Sequence, residues 1–284
     1  MELQEKTVRG EADSQSAKVQ AEGQSPKVQA DGQSVQADGR AAEPQAAARG
    51  TGRSRNRNRN RNRNYQRELD ALIQDLEREG RKPRLLLHSC CAPCSSYVLE
   101  YLSQYFAITL LYYNPNIDPA GEYRERIHEQ QRLIREMEAA GALGIPVRFL
   151  EGRYEPEAFY NAVRGHEREK EGGERCFICY ELRLSMAAKV AKEGGFDYFT
   201  TTLSISPKKN AAKLNEIGER LAEEYGVSYL MSDFKKKNGH NRSTELSEQY
   251  RLYRQDYCGC VYSKQQRLAM LRAQDESDHI SKDC

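Results

Sequence analysis

The chain has 284 residues and a formal charge of +2 at pH 7. Its first 64 residues hold twelve Lys or Arg and eight Asp or Glu, so the remainder carries a net charge of about −2 and is not a broadly basic nucleic-acid-binding domain. The sequence has neither a run of 18 apolar residues nor the apolar segment of a signal peptide, so we expect a cytoplasmic protein without a membrane partner.

Residues 1–64 have the composition of a disordered extension. They repeat the segment Lys18–Pro26 with small changes, and they are rich in Gln, Gly, Ser and Ala without an aromatic residue. Such a segment buries too little apolar surface to offset the entropy of ordering, which predicts disorder. Arg53–Asn64 alternates Arg with Asn after one Arg-Ser step. We interpret this tract as a tether for RNA phosphates, a targeting signal or a solubilising linker.

Residues 65–272 have the pattern of an α/β domain with a helical carboxyl-terminal part, and residues 273–284 are predicted to be a flexible tail. Short apolar segments predict strands at Leu85–Leu87, Ile108–Tyr113, Pro146–Leu150, Phe196–Leu203 and Val227–Met231. Helical periodicity predicts helices around Leu69–Leu76, Val98–Leu102, Glu122–Met137, Phe159–Arg164, Cys176–Val190, Leu214–Tyr225 and Tyr250–Tyr257. This alternation predicts a parallel, doubly wound sheet of about five strands with right-handed crossovers.

The predicted first strand ends in a cysteine-rich loop. His88-Ser-Cys-Cys-Ala-Pro-Cys94 directly follows the apolar run. Three cysteines therefore lie at the carboxyl end of a strand, where open α/β sheets place their ligands. Ser95 and Ser96 come next and are expected to cap the following helix.

The cysteines form three groups once Cys284 is set aside: Cys90/Cys91/Cys94, Cys176/Cys179 and Cys258/Cys260. In a reducing compartment such groups are better interpreted as metal ligands or redox centres than as structural disulfides. The first two groups each open a predicted helix, whose amino terminus favours thiolates. One pair from each would complete a tetrahedral zinc site or an iron–sulfur cubane. Cys94 is then either a further ligand or a packing residue.

Cys258-Gly-Cys260 differs from the other two groups in its spacing. A Cys-x-Cys pair can close a small, strained disulfide, and strained disulfides are labile. Gly259 allows the backbone to fold tightly enough for this. We therefore interpret the pair as a redox dithiol, with completion of the metal site as the alternative.

These motifs resemble those of the QueH-type epoxyqueuosine reductases, which complete the tRNA wobble nucleoside queuosine. The resemblance spans about residues 83–271 and leaves out the amino-terminal extension. In chain order it rests on Leu86-Leu-His-Ser-Cys-Cys-Ala-Pro-Cys94, Tyr113-Asn-Pro-Asn-Ile117 with Glu122-Tyr-Arg124, Gly173-Glu-Arg-Cys-Phe-Ile-Cys-Tyr-Glu-Leu-Arg183, Thr202-Leu-Ser-Ile-Ser-Pro-Lys-Lys-Asn210, Asp233-Phe-Lys-Lys236 with Gly239 and Arg242-Ser243, and Tyr250-Arg-Leu-Tyr-Arg-Gln-Asp-Tyr-Cys-Gly-Cys260.

The resemblance implies a fold similar to the adenine-nucleotide α-hydrolase (HUP) type, with the cysteine loop in place of the usual ATP-pyrophosphatase loop. It implies a [4Fe–4S] cluster bound by Cys90, Cys91, Cys176 and Cys179, and it leaves an additional iron ion open. Cys258 and Cys260 would form a redox-active pair. The implied reaction is two-electron deoxygenation of epoxyqueuosine to queuosine in the tRNA anticodon loop, with an unidentified electron donor as the second partner.

Several polar residues near the predicted strand ends are candidates for supporting roles. Proton donors by type alone are Lys208, Lys209, His240, Asp256 and Tyr257. Residues that either contact tRNA phosphates or form a solvated face are Lys208, Lys209, Lys235–Lys237, Arg242, Arg251 and Arg254. Tyr250, Tyr253 and Tyr257 are expected to form a packed helical stripe rather than to stack on bases.

Two other functions compete with the reductase. An ATP-dependent tRNA thiolase-like enzyme shares the implied fold, but it needs a glycine-rich phosphate loop where the cysteine loop stands. A zinc-stabilised, non-catalytic RNA-binding module would use four cysteines. It leaves Cys258-Gly-Cys260 and the α/β scaffold unexplained.

Overall fold

The structure is a computed structural model that describes the backbone of residues 63–282 and the side chains of residues 63–275. The predicted disorder of residues 1–64 and almost all of the Arg-Asn tract lie outside the described residues, as does Cys284. Within the described part of the chain, no helix is both long enough and apolar enough to cross a membrane.

Helices and strands alternate along the described chain. The helices are α1 (Tyr65–Glu79), α2 (Ala92–Leu102), α3 (Ala120–Ala139), α4 (Pro156–Ala162), α5 (Glu174–Glu193), α6 (Ala211–Tyr225), α7 (Gly239–Gln249) and α8 (Val261–Lys282). The strands are β1 (Arg84–His88), β2 (Ala107–Tyr112), β3 (Arg148–Glu151), β4 (Tyr198–Thr201) and β5 (Ser228–Tyr229). A short 3₁₀ helix, Thr202–Ile205, follows β4 directly.

The strands form one parallel sheet in the order β3-β2-β1-β4-β5. In the centre of the sheet, Leu86 of β1 lies beside Thr109 of β2 and Phe199 of β4. The chain winds outward from β1 to β3 and then returns to the other side of β1, so the winding direction switches between β1 and β4. The predicted five-stranded parallel sheet is confirmed, and the cysteine loop follows β1 at this switch point.

Alternate side chains of β1 point into two hydrophobic layers. Leu85 and Leu87 pack in the layer that contains apolar residues of α1, α2 and α3. Leu86 packs in the opposite layer with apolar residues of α5 and α6. All three leucines are fully buried, as expected for a central parallel strand covered by helices on both faces.

The prediction that Ser95 and Ser96 cap the helix after the cysteine loop is wrong. Helix α2 begins at Ala92, and its cap residue is Cys91, whose backbone is extended. Pro93 suits the first helical turn because a proline there loses no helical hydrogen bond. Ser95 lies inside the first turn, where its hydroxyl oxygen is 2.8 Å from the carbonyl oxygen of Cys91. Because α2 begins at Ala92, Cys94 lies on the helix and not on the loop before it.

The carboxyl-terminal part is helical, but Cys258-Gly-Cys260 lies in a non-helical segment between α7 and α8. The chain leaves the helix after α7, and Arg251 has a left-handed backbone with φ of 47°. The predicted helical stripe of tyrosines is therefore wrong: Tyr250 is buried, whereas Tyr253 is 39% exposed. Helix α8 runs through residues 273–282, whose predicted flexibility stays a prediction.

Candidate metal centre and active site

The loop after β1 gathers three sulfur atoms. The Sγ atoms of Cys90, Cys91 and Cys94 all lie within 4.8 Å of one another, and those of Cys90 and Cys91 are 3.8 Å apart. Neighbouring residues can present their side chains to one point here because the loop is neither strand nor helix. The three thiols form a compact donor set for a thiophilic metal.

A buried hydrogen-bond network fixes this loop. The Oε1 atom of Gln130 on α3 accepts from the hydroxyls of Ser89 over 2.8 Å and Ser95 over 2.7 Å. The side-chain amide of Asn114 donates to the carbonyl oxygen of Ser89 over 2.8 Å. All four of these side chains are fully buried, so the residues around the sulfurs are held from both β2 and α3.

The three thiols differ in how readily they give up a proton. Hydrogen bonds from Cys90 and Cys94 hold the pKa of the Cys91 thiol well below its usual range. The contact with Cys91 raises the pKa of Cys90 to about 11, and contacts with Cys90 and Cys91 raise the pKa of Cys94 well above its usual range. Cys91 is therefore the most acidic of the three thiols. A metal held by these residues would bind them as thiolates.

A second group of sulfurs lines a small cavity next to the first. Cys176, Cys179, Cys258 and Cys260 all lie on its wall. Burial raises the pKa of the Cys179 thiol to about 11. One buried charge acts on both groups of cysteines. The guanidinium of Arg183 lies close enough to Cys90, Cys179 and Cys258 for its charge to act on all three.

The structure does not bring the predicted cluster ligands into one compact set. Among the described residues, one group of three or more metal-ligating side chains has its ligand atoms within 4.8 Å of one another. That group is Cys90, Cys91 and Cys94. Cys176 and Cys179 instead share their cavity with Cys258 and Cys260. The four-ligand set of Cys90, Cys91, Cys176 and Cys179 stays a prediction, as does the redox role of Cys258 and Cys260.

A larger cavity, of about 240 Å³, opens above the cysteine loop. Its wall includes the three loop cysteines, Cys258 and all the residues predicted as proton donors, namely Lys208, Lys209, His240, Asp256 and Tyr257. Arg254 also lines it. A substrate atom in this cavity can therefore meet sulfur ligands and proton donors together.

The other predicted phosphate-binding residues divide into two kinds. Lys235, Lys237 and Arg242 are engaged in ion pairs with Asp233, Asp70 and Glu100, respectively. Lys236 and Arg251 are exposed and do not line the cavity. The basic groups at the cavity itself are therefore Lys208, Lys209 and Arg254 from the predicted set.

Three charged residues of this region were missed by the sequence analysis: the buried Arg126 and Arg183, and the half-buried Glu171. Arg126 and Glu171 line the larger cavity, and Glu171 and Arg183 line the smaller one. Arg183 ends a motif that carries the resemblance. Arg183 lies on α5, the helix that carries Cys176 and Cys179, and its burial follows only from the fold.

Comparison with known proteins identifies the family of this sequence. Residues 85–266 match the sequence model of the family described as epoxyqueuosine reductase QueH. The chain belongs to this family. The match contains the cysteine loop, the pair on α5 and Cys258-Gly-Cys260, and it leaves out the amino-terminal extension.

Individual QueH proteins are similar over most of their length. The epoxyqueuosine reductase QueH of Streptococcus pyogenes serotype M1 is 44% identical over 214 residues, which are 75% of this chain and 83% of the relative. That of Staphylococcus aureus strain Mu50 is 45% identical over 205 residues, 72% of this chain and 85% of the relative. The more distant QueH of Thermotoga maritima is 33% identical over 189 residues, 64% of this chain and 91% of the relative.

Proposed function

We propose that this chain is an epoxyqueuosine reductase, an oxidoreductase that converts epoxyqueuosine to queuosine at the wobble position of tRNA. The observation that carries the proposal is the match of residues 85–266 to the QueH family, whose members compared above are named for this activity. The match favours a reductase over an ATP-dependent thiolase-like enzyme or a zinc-stabilised RNA-binding module. It includes Cys258-Gly-Cys260, which neither alternative requires.

The reaction determines which groups the cavity must supply. Removal of the epoxide oxygen as water leaves an alkene and consumes two electrons and two protons. Lys209, His240 and Asp256 line the cavity beside the cysteine loop, so a proton donor stands near the sulfur donors. Enzymes that modify bases draw the base out of the anticodon loop, and in this proposal the cavity of about 240 Å³ receives it.

The cysteines fit an iron–sulfur cofactor because thiolates are the usual ligands of such clusters. The close approach of the Cys90, Cys91 and Cys94 sulfurs supports a metal at the loop, and Cys176 and Cys179 lie at the start of α5 in the neighbouring cavity. In this proposal Cys90, Cys91, Cys176 and Cys179 hold a [4Fe–4S] cluster. Cys94 is left as a donor for an additional iron ion. When bound, the cluster supplies electrons one at a time.

The second source of reducing equivalents in this proposal is the pair Cys258 and Cys260. Cys258 lines both cavities, so it stands between the cysteine loop and the pair on α5. Oxidation of two thiols to a disulfide releases two electrons and two protons, which is what the deoxygenation consumes. An external donor, still unidentified, must then reduce the disulfide. The other partner is tRNA that carries epoxyqueuosine.

A single-turnover assay tests the activity. Anaerobically reconstituted wild-type protein and its Cys258→Ser variant are mixed with epoxyqueuosine tRNA and dithionite, and the iron and zinc contents are measured on the same samples. We expect the wild type to form queuosine, and the variant to keep its iron while losing turnover. Wild-type protein that binds only zinc and leaves the nucleoside unchanged would support the RNA-binding module instead.

The ligand set has its own test. Cys176→Ser and Cys94→Ser are matched variants, because each removes one half-buried thiol from a different cysteine group. If Cys176 is a cluster ligand, its loss abolishes most visible absorption of the anaerobic protein, whereas loss of Cys94 preserves it. The reverse result would move the cluster onto the compact set Cys90, Cys91 and Cys94.

A further inference from the structure

Cys258 and Cys260 are separated by one residue but have different surroundings. Cys258 is half-buried and lines the larger, open cavity as well as the smaller one. Cys260 is only 7% exposed and lines the smaller cavity but not the larger one. Its Sγ atom accepts from the backbone N–H of Ser263 over 3.4 Å. A reagent that enters from the larger cavity therefore meets Cys258 first.

A buried lysine contacts the accessible sulfur. The Nζ atom of Lys209 lies 3.3 Å from the Sγ atom of Cys258 and donates to the Oε1 atom of Glu171 over 2.9 Å. Lys209 is only 8% exposed, so its ammonium group is largely removed from water and surrounded by protein atoms. A desolvated charge of this kind is costly unless its partners are well placed.

The contacts of Lys209 close into a ring. The second carboxylate oxygen of Glu171 accepts from the hydroxyl of Ser263 over 3.1 Å. The oxygen of that hydroxyl accepts from the backbone N–H of Cys258 over 3.1 Å. Cys258, Lys209, Glu171 and Ser263 thus hold one another in place, and three segments of the chain meet at the Cys258 sulfur.

We propose that Cys258 is the sulfur that exchanges with an external thiol reductant, that Cys260 is the thiol released in the first step of this exchange, and that Lys209 is a catalytic residue of it. The inference rests on the dithiol role given to the pair in the proposed function. It adds the order of attack, the chemical class of the electron donor and the residue that assists the exchange.

The exchange balances in two steps. The thiolate of a reductant molecule attacks Cys258 of the Cys258–Cys260 disulfide, so that a mixed disulfide forms at Cys258 and Cys260 leaves as a thiolate that takes up a proton. A second reductant thiolate attacks the sulfur of the first, which releases Cys258 as a thiolate and yields the oxidised reductant. Two thiols have then supplied two electrons to the pair.

The charges around the two sulfurs support different roles. Burial raises the pKa of the Cys260 thiol to about 12, so Cys260 stays protonated when the pair is reduced. Burial disfavours the charged form of Lys209, but interactions with Cys258, Tyr180 and Glu171 outweigh it and hold the Lys209 pKa well above its usual range. An ammonium 3.3 Å from the Cys258 sulfur stabilises the thiolate that the second step releases there.

Reaction with oxidised glutathione tests the order of attack. Full-length, metal-loaded Cys260→Ser and Cys258→Ser proteins are reduced, exposed to oxidised glutathione without oxygen, and digested so that the mass of the peptide with the remaining cysteine gives the rate of mixed-disulfide formation. We expect Cys258 in the first variant to react at least about tenfold faster than Cys260 in the second. Equal rates, or a faster Cys260, would overturn the assignment.

The role of Lys209 is tested in the Cys260→Ser background. Lys209→Met should slow the modification of Cys258 by about tenfold, whereas Lys209→Arg, which keeps the charge, should slow it less. Lys189→Met is the control, because Lys189 is an exposed lysine that lines neither cavity, and it should leave the rate unchanged. If Lys209→Met does not fold by circular dichroism, Glu171→Gln replaces it and should also slow the reaction. A rate equal to that of Lys189→Met excludes a role for Lys209.

These assays contain no epoxyqueuosine, so their failure is distinct from failure of the proposed function. Wild-type protein that forms queuosine while Cys260 reacts first would keep the reductase and overturn the order of attack. Wild-type protein that forms no queuosine while Cys258 reacts first would keep the exchange chemistry and overturn the reductase.

Discussion

The Nη1 atom of Arg126 donates a hydrogen bond to the carbonyl oxygen of Cys258 over 3.2 Å, which ties α3 to the loop that carries the cysteine pair. The Nε atom of the same side chain donates to Glu122 over 2.7 Å, and its guanidinium carbon lies 5.4 Å from the centre of the Tyr257 ring. Arg126 is only 2% exposed. A buried cation thus holds the backbone of Cys258, whereas Lys209 contacts its sulfur.

Replacing Arg126 by Gln should disturb both stability and chemistry. The change breaks a buried ion pair and leaves Glu122 with the Tyr253 hydroxyl but no cation, which costs about 3 kcal/mol of the free energy of unfolding. It also releases the backbone at Cys258, so the rate of queuosine formation should fall. Urea unfolding and single-turnover conversion measure the two effects.

The matched control for Arg126 is Arg124→Gln, since Arg124 lies exposed on the same helix. Its removal should change the free energy of unfolding by less than about 0.5 kcal/mol. If Arg126→Gln behaves like Arg124→Gln in both assays, the contact with Cys258 has no role in holding the loop.

Gly259 should not tolerate a side chain. Its φ of +116° is a conformation that L-residues rarely adopt, and a Cβ atom there would lie 2.9 Å from a side-chain carbon of Ile117 and 3.0 Å from Nη1 of Arg126. Gly259→Ala should therefore lower the free energy of unfolding by more than about 1 kcal/mol and reduce turnover. Gly121→Ala is the control, because nothing lies within 4 Å of its Cβ position. Thermal melts compare the two variants, and Gly121→Ala should be neutral or stabilising. An equal effect of the two substitutions would contradict the close packing at Gly259.

The sheet could be predicted from sequence because its strands are buried on both faces and appear as short apolar runs. The prediction was least accurate at the edge: Val227–Met231 was expected as a strand, but β5 pairs only at Ser228 and Tyr229. An edge strand has one neighbour, so its extent depends on the length of that neighbour rather than on its own apolar residues. Strand β4 ends at Thr201, short of the predicted Leu203, because a 3₁₀ helix begins at Thr202.

The candidate site could be predicted only where its residues are neighbours in sequence. Cys90, Cys91 and Cys94 lie within five residues at the loop and the first turn of α2, so their grouping follows from local spacing. The contacts that define the surroundings of Cys258 join it to Lys209 and Arg126, which are 49 and 132 residues away in the chain. No periodicity links such residues, because their approach is decided by which helices cover which face of the sheet.

Gln130 should be needed to hold the cysteine loop in shape. Its side chain is fully buried and accepts hydrogen bonds from Ser89 and Ser95. Gln130→Ala would leave a cavity and remove the acceptor of two buried hydroxyls, so we expect a loss of about 2 to 4 kcal/mol in the free energy of unfolding. The iron content after anaerobic reconstitution should also fall. Gln131→Ala, at the half-buried next position, should keep both values. Full iron content in Gln130→Ala would mean that the loop keeps its shape without this network.

The carboxylate of Glu129 holds the segment before the cysteine pair in a way that depends on pH. It accepts from the backbone N–H of Tyr253 over 2.6 Å and forms an ion pair with Arg132 at 2.7 Å. Arg132 also donates to the carbonyl oxygen of Tyr250 over 3.0 Å. The hydrogen bond from Arg132 holds the pKa of Glu129 below its usual value of 4.5. The carboxylate therefore stabilises the fold above that pH, and the contribution is lost as pH falls through the lowered pKa.

Glu129→Gln should accordingly be less stable than the wild type by about 1 kcal/mol at about pH 7. The difference should shrink as the pH is lowered below about 4.5, because the protonated wild-type side chain then resembles the neutral amide. Urea unfolding at a series of pH values, with Glu125→Gln as an exposed control on the same helix, measures this difference directly. A gap between wild type and Glu129→Gln that stays constant or widens in acid would show that the charge of Glu129 does not stabilise the segment from Tyr250 to Tyr253.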